Sequence, residues 1–161
     1  MPTSLIEADL AVLSGLLGKV LIRCIIERSS FEGETIAGEA NRVALELADS
    51  QSFTLNLAGD GQSLDVVSEF ALAKEWSDWP YGSVHETYSV KGRTGGAVIK
   101  SVRCLIEAFG KSEFLAGVWV TCEGSFQVGF SNIGDKGFLT FESTVPELDD
   151  GMTRRVIELE L

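Results

Sequence analysis

"IRCIIE" spans Ile22 to Glu27, and "VRCLIE" repeats it almost unchanged from Val102 to Glu107. Four of the six letters are identical, and the other two exchange one aliphatic residue for another. Successive side chains of a β-strand point to opposite faces, so Cys24 and its aliphatic neighbours share one face while the arginine and glutamate share the other. The two stretches therefore predict one strand, used twice, with its core on the cysteine-bearing face.

The residues after each copy also correspond. Each copy is followed by a pattern of three short strands separated by glycine turns, and Ile36–Gly38 matches Leu115–Gly117. This predicts two four-stranded antiparallel units, approximately residues 18–67 and 96–142, joined by an aromatic-rich connector over residues 68–95. We expect an internal duplication within a single domain, residues 1–161. The alternative is that short aliphatic strands resemble one another by chance.

Helical patterns occur at two places. Ser4 and Glu7 have the spacing of a capping box, and apolar residues at helical spacing follow them, which predicts an N-terminal helix. Residues 67–76 are rich in good helix formers, and we expect a second helix there rather than a continuing strand. The tail "MTRRVIELEL" alternates like a strand. The predicted class is α+β, mainly antiparallel β with an N-terminal helix.

Acidic residues are concentrated in one segment. The net charge is −11, and residues 31–80 carry ten acidic against two basic residues, a net −8. Such a field repels nucleic acid and anionic membranes and attracts basic proteins. The alternative is that the charge only keeps the protein in solution. We expect no nucleic-acid or membrane partner.

The cysteines and the N-terminus indicate a compartment. Cys24, Cys104 and Cys122 lie in apolar runs, where a free thiol behaves as a small buried hydrophobe, as is typical of a reducing environment. The N-terminus lacks the basic segment and cleavage site of a signal peptide, and no apolar run reaches the ~18 residues of a membrane span. The prediction is a cytoplasmic protein.

The window from Trp76 to Tyr88 contains two of the three tryptophans, both tyrosines and the single histidine. Its proline and glycine predict a loop, and amphipathic aromatic residues beside carboxylates suit binding of a basic protein. The alternative is that Trp76 and Trp79 fold inward and cover the joint between the two units. The predicted partner-binding residues are Glu69, Glu75, Trp76, Asp78, Trp79, Tyr81, His85, Glu86 and Tyr88.

Catalytic and metal-binding patterns are weak. A triad of His85 with Ser83 and Glu86 is possible but unsupported by spacing, and no cysteine or histidine pair has zinc spacing. Asp60 to Asp65 lacks the alternating carboxylates of a calcium loop and is interpreted as a hairpin turn. We predict no catalytic residues, no metal and no cofactor.

Two features carry a resemblance to a known class of proteins: the acidic segment from Glu32 to Asp78, and the aromatic residues Trp76, Trp79, Tyr81 and Tyr88. In size and charge the chain resembles the immunity proteins of bacterial toxin systems, such as contact-dependent growth inhibition. That resemblance implies a small acidic inhibitor that binds and neutralises a basic toxin or nuclease domain. The alternative function is a small-molecule-binding module or enzyme whose apolar pocket, in a curved sheet, is lined by phenylalanines. The sequence leaves the oligomeric state open.

Overall fold

The computed structural model describes residues 5–60, 62–92, 95–142 and 153–161. One helix and eleven strands are found in these ranges. They are α1 (Leu5–Ser14), β1 (Val20–Phe31), β2 (Arg42–Leu47), β3 (Ser52–Leu57), β4 (Leu64–Val67), β5 (Trp76–Asp78), β6 (Tyr81–Ser89), β7 (Ala97–Phe109), β8 (Ser112–Cys122), β9 (Gln127–Ile133), β10 (Lys136–Thr140) and β11 (Thr153–Glu160).

The strands form one open antiparallel sheet in the order β10-β9-β8-β7-β1-β2-β3-β4. The repeated sequences "IRCIIE" and "VRCLIE" lie in the two central strands, β1 and β7. These strands pair with each other only at their first residues, Val20 with Val98 and Leu21 with Ala97. Further along, β6 pairs with the freed edge of β1, and β11 pairs with the freed edge of β7.

Both halves of the sheet therefore pair their strands in the same order. In each half a long strand is followed by a three-stranded meander, and a later strand returns to its other edge. Cys24 lies opposite Leu45 and Tyr88, and Cys104 lies opposite Val118 and Ile157. The shared unit thus has five strands rather than four. Its origin by duplication stays a prediction.

One detail of the predicted correspondence between the halves is wrong. Ile36–Gly38 lie in the connection between β1 and β2, whereas Leu115–Gly117 lie inside β8. The connection between β1 and β2 spans residues 32–41, but β7 and β8 are joined by Gly110 and Lys111 alone. The first half therefore carries a loop that the second half lacks.

The core lies between the cysteine-bearing faces of the two halves. Cys24, Ile26, Cys104, Val118 and Phe130 are each fully buried in one cluster that contains residues from both halves and from α1. All three cysteines are free and buried, as the sequence predicts. Burial raises the pKa of the Cys24 and Cys104 thiols to about 12 and that of Cys122 to about 11.

The predicted α+β class is wrong, because strands make up nearly all of the regular secondary structure in the described residues. The N-terminal helix is confirmed as α1, although Ser4 of its predicted capping box lies outside the described residues. The second helix, predicted for residues 67–76, does not form. The final strand is confirmed as β11. No helix in the described ranges is both long and apolar enough to cross a bilayer.

Residues 68–75, which we call the strap, form neither helix nor strand, and distant side chains bond their backbone. Thr54 Oγ1 donates to the Glu69 carbonyl over 2.7 Å and accepts from the Ala71 amide over 3.0 Å. Glu27 Oε1 accepts from the Ala73 amide over 2.8 Å. These bonds replace those that a helix would make within itself, so tertiary contacts override the local preference of the strap for helix.

Candidate functional site

The candidate site lies where the first half of the sheet differs from the second. Two features of the first half have no counterpart among the described residues of the second half: the long loop over residues 32–41 and the short strand β5 on the edge of β6. β5 and β6 form a hairpin around Trp79 and Pro80, whose peptide bond is cis. The loop predicted for the window Trp76 to Tyr88 is therefore wrong over most of its length. Both features meet at the end of β1.

A row of two aromatic residues flanked by two acidic residues crosses the sheet at that end. Asp78 lies opposite Tyr81, Tyr81 lies opposite Phe31, and Phe31 lies opposite Glu34. Directly opposed residues of antiparallel strands share a face, so two aromatic rings lie side by side with a carboxylate at each end. The ring centroids of Phe31 and Tyr81 are 5.4 Å apart. The row lies on the face of the sheet that points away from the core.

The aromatic side chains of this end are exposed to solvent. We define the aromatic patch as Phe31, Ile36, Trp76, Trp79 and Tyr81. Their exposed fractions are 52%, 64%, 53%, 71% and 60%, so the alternative in which Trp76 and Trp79 fold inward is wrong. Most large apolar side chains of a folded protein are removed from water, so an exposed group of five makes this end of the sheet the candidate interaction surface.

The loop that carries Ile36 is held in place by a buried arginine. Arg28 is 7% exposed, and its Nη1 donates to the carbonyl oxygens of Glu39 over 2.6 Å and of Ile36 over 3.3 Å. Its Nε lies 3.1 Å from Glu86 Oε2. The Ala40 amide also donates to the Gly137 carbonyl on β10, and a Cβ at Gly137 would overlap the Ala40 carbonyl oxygen. The loop is therefore fastened to both halves of the sheet.

The strap supports the hairpin from the same face. Glu27 is 2% exposed, and its Oε2 accepts from Arg42 Nη1 over 2.6 Å while its Oε1 holds the Ala73 amide. His85 lies opposite Glu27, and its Nε2 is 2.7 Å from the Ala73 carbonyl oxygen. Glu75 Oε2 accepts from the His85 amide over 3.0 Å. These contacts fix the strap directly before Trp76.

Ion pairs decide which acidic residues of the segment 31–80 contribute to the outward field. Glu46 pairs with Arg23 at 2.6 Å and Asp49 pairs with Lys19 at 2.7 Å, so both charges are compensated locally. Around the patch, the carboxylates of Glu32, Glu34 and Asp78 have no basic partner among the described residues. The exposed Lys74 offsets one negative charge beside Glu75. These uncompensated carboxylates make the field around the aromatic patch negative.

The predicted partner-binding residues fall into three groups. Trp76, Asp78, Trp79 and Tyr81 lie together in the patch or beside it. Glu69, Glu75 and His85 belong to the strap and its attachment.

Glu86 and Tyr88 form the third group, and they lie on the core-side face of β6. The Tyr88 hydroxyl donates to Glu86 over 2.9 Å, and its ring packs 4.8 Å from that of Phe141. Burial raises the pKa of Tyr88, and its bond to Glu86 raises it further. The alternation of β6 therefore separates these two residues from the patch.

Four residues of the site are absent from the predicted partner-binding residues, although the acidic segment included the two glutamates: Phe31, Glu32, Glu34 and Ile36. They lie outside the aromatic window, and only Phe31 belongs to a strand. The sequence "FEGETI" does contain a signal, because two acids flank a turn glycine directly after a strand that ends in phenylalanine. Arg28 was missed as well, since arginine gives no sequence sign of burial.

The catalytic and metal-binding possibilities find little support in the geometry. His85 and Glu86 point to opposite faces of β6, and the His85 ring bonds the strap. Asp60 closes the β3–β4 hairpin by accepting from Ser63 and Gln62, and the Ser63 hydroxyl bond does most to lower its pKa. In the part of the chain that the structure describes, no three His, Cys, Asp or Glu side chains are grouped to hold a metal ion.

Comparison with known proteins gives no assignment: the chain matches no protein-family model, no curated protein and no solved structure.

Proposed function

We propose that this protein is a small acidic inhibitor that binds a basic protein through the aromatic patch and its flanking carboxylates. The observation that carries the proposal is the row Asp78, Tyr81, Phe31 and Glu34, with Trp76 and Trp79 exposed beside it. Neutralisation of a toxin or nuclease domain, as the resemblance to immunity proteins implies, is the specific form of inhibition that we propose.

Binding of the basic protein proceeds in two steps. The unpaired carboxylates attract a basic surface over about 10 Å at moderate salt and orient it toward this end of the sheet. Burial of the aromatic side chains then supplies the affinity. Tryptophan and tyrosine dominate protein interfaces, where truncation of one such anchor costs about 2 kcal/mol or more. Both the loop and the hairpin are already fixed by Arg28 and the strap, so little ordering opposes binding.

A capture experiment tests the proposal. The tagged protein is incubated with lysate of its own cells at low salt, and retained proteins are eluted with a salt gradient. We expect a basic protein whose retention is lost with Trp79→Ala and with Asp78→Lys. The recovered protein is then assayed alone and with the inhibitor, and its activity should fall as the complex forms.

Two control variants match these substitutions away from the patch. Phe70 is 46% exposed and lines a separate recess beside Val12 and Gln51, so Phe70→Ala should leave retention unchanged. Glu123 is exposed in the second half of the sheet, and Glu123→Lys makes the same change in net charge as Asp78→Lys. A partner that is released equally by patch and control variants, or that is insensitive to salt, would contradict the proposal.

A further inference from the structure

A recess of about 250 Å³ opens beside the aromatic patch. This volume is below the range of about 300–1,000 Å³ that holds drug-sized ligands, so it suits a single long side chain. The recess lies between the end of β1 and the loop over residues 32–41. Its lining combines aromatic, carboxylate and neutral polar groups: Phe31, Tyr81, Glu34, Glu39, Asn41 and Ser29.

The two carboxylates of the recess are available to a ligand. The Glu34 side chain makes no hydrogen bond or ion pair within the described ranges, and Glu39 Oε1 has only the loose contact of 3.8 Å with Lys136, a side chain that is 76% exposed. Asn41 Nδ2 donates to Ser29 Oγ over 2.7 Å, which leaves the Asn41 carbonyl oxygen as a further acceptor. The polar lining thus consists largely of acceptors, and its complement is a cationic donor.

The aromatic wall narrows the choice of cation. Phe31 and Tyr81 lie side by side, both line the recess, and both are more than half exposed. A guanidinium group is planar, stacks on aromatic rings and donates in several directions at once, whereas an ammonium group is a compact and strongly hydrated charge. Two separate carboxylates beside a ring therefore suit arginine better than lysine.

The geometry points to an arginine socket: the recess accepts one arginine side chain of the basic partner, with its guanidinium against Phe31 and Tyr81 and its donors toward Glu34 and Glu39. This inference rests on the proposed function for the identity of the partner. The socket gives the attachment of the loop by Arg28 and Gly137 a function, since a mobile loop would not hold Glu39 at the recess.

The test uses small probes and the intact protein. Nα-acetyl-arginine amide is titrated while the backbone amide resonances are followed by NMR, and Nα-acetyl-citrulline amide serves as the uncharged control of nearly equal shape. We expect saturable shifts at Glu34, Ile36 and Asn41 with arginine, and at least tenfold weaker binding with citrulline. Nα-acetyl-lysine amide should bind more weakly than arginine.

A double variant tests the two carboxylates. Glu34→Gln with Glu39→Gln keeps the size of both side chains and should weaken arginine binding at least tenfold, whereas Glu123→Gln should not change it. The socket is refuted if citrulline or lysine binds as tightly as arginine, if the shifts fall outside the recess, or if the double variant binds like the wild type. The titration of the wild-type protein decides the first two outcomes even if a variant folds poorly.

The socket and the proposed function fail in different ways. If Trp79→Ala abolishes capture of a basic partner but arginine amide does not bind the recess, the partner docks without the socket and only this inference is overturned. If arginine amide binds at Glu34 and Asn41 but no basic partner is retained from the lysate, the inhibitor proposal fails and the recess stands as an arginine site.

Discussion

Glu27 and Glu107 occupy the same position in the two halves of the sheet, and we predict opposite effects from the same substitution. Both are buried, with exposed fractions of 2% and 4%. Glu27 is bonded by Arg42 at 2.6 Å and by the Ala73 amide at 2.8 Å. Glu27→Gln removes the charge and leaves an amide group facing the Arg42 guanidinium.

The cost of Glu27→Gln follows from these contacts. Removal of one partner of a buried ion pair costs about 3–5 kcal/mol. A third of the Arg42 side chain remains exposed to water, which places the loss at the lower end, about 3 kcal/mol. For a domain of this size each kcal/mol shifts Tm by about 2–4 °C, so Tm should fall by about 6–12 °C at neutral pH.

Glu107→Gln should leave Tm unchanged or raise it. Burial raises the pKa of Glu107 above its ordinary 4.5, and the nearby Arg154 opposes the shift only in part. A carboxyl whose pKa is higher in the folded state is protonated more in that state, so the stability it contributes falls as pH rises from about 4.5 through the raised value. Glutamine removes this penalty at pH 7, and the difference from wild type should vanish at pH 4.

Both variants are compared with the wild type by thermal unfolding followed by circular dichroism at pH 7 and pH 4. The reasoning is refuted if the two substitutions lower Tm equally at pH 7, or if Glu27→Gln costs less than about 1 kcal/mol, since the strap would then not depend on its bond to Glu27.

Three further predictions concern the site and the core. Glu32→Asn should stabilise the protein by about 0.5–1 kcal/mol in denaturant titrations, because Glu32 has a φ of 52° in a tight turn where asparagine is tolerated better; a loss of stability would contradict the turn geometry. Arg28→Lys should cost about 2 kcal/mol in the same assay, because lysine lacks the planar fork that bonds the loop; an unchanged midpoint would show that the loop does not depend on it. Cys24, Cys104 and Cys122 should resist a thiol-specific disulfide reagent at pH 8 until the protein unfolds, because burial raises their pKa values to about 12, 12 and 11; rapid modification of the native protein would contradict their burial.

The strands were predictable wherever apolar and polar residues alternate in the sequence. The cysteine-bearing face of β1 and β7 identified the core correctly, because Cys24, Ile26, Val102 and Cys104 are all fully buried. The strap was mispredicted because its hydrogen-bond partners Thr54, Glu27 and His85 lie 10 or more positions away in the chain. Local preference for helix cannot register such partners.

The candidate site was predictable only in part, for a similar reason. Trp76, Trp79 and Tyr81 were predicted as binding residues because they lie close together in the sequence. Phe31 lies beside them because it pairs with Tyr81 across the strands. The two residues are 50 positions apart, so no local sequence pattern predicts their contact. Ion pairing between distant residues also decides which carboxylates contribute to the field around the protein. Glu46 is compensated by Arg23, whereas Glu34 has no basic partner within the described ranges.

The central claim is that a basic protein binds this end of the sheet. The most direct test is the Kd of the captured partner, measured by titration calorimetry at low and at high salt, for the wild type, for Tyr81→Ala and for Phe70→Ala. We predict that affinity falls as salt rises, that Tyr81→Ala weakens binding at least tenfold at both salt concentrations, and that Phe70→Ala binds like the wild type. Equal affinity for all three proteins, or affinity that does not change with salt, would contradict the claim.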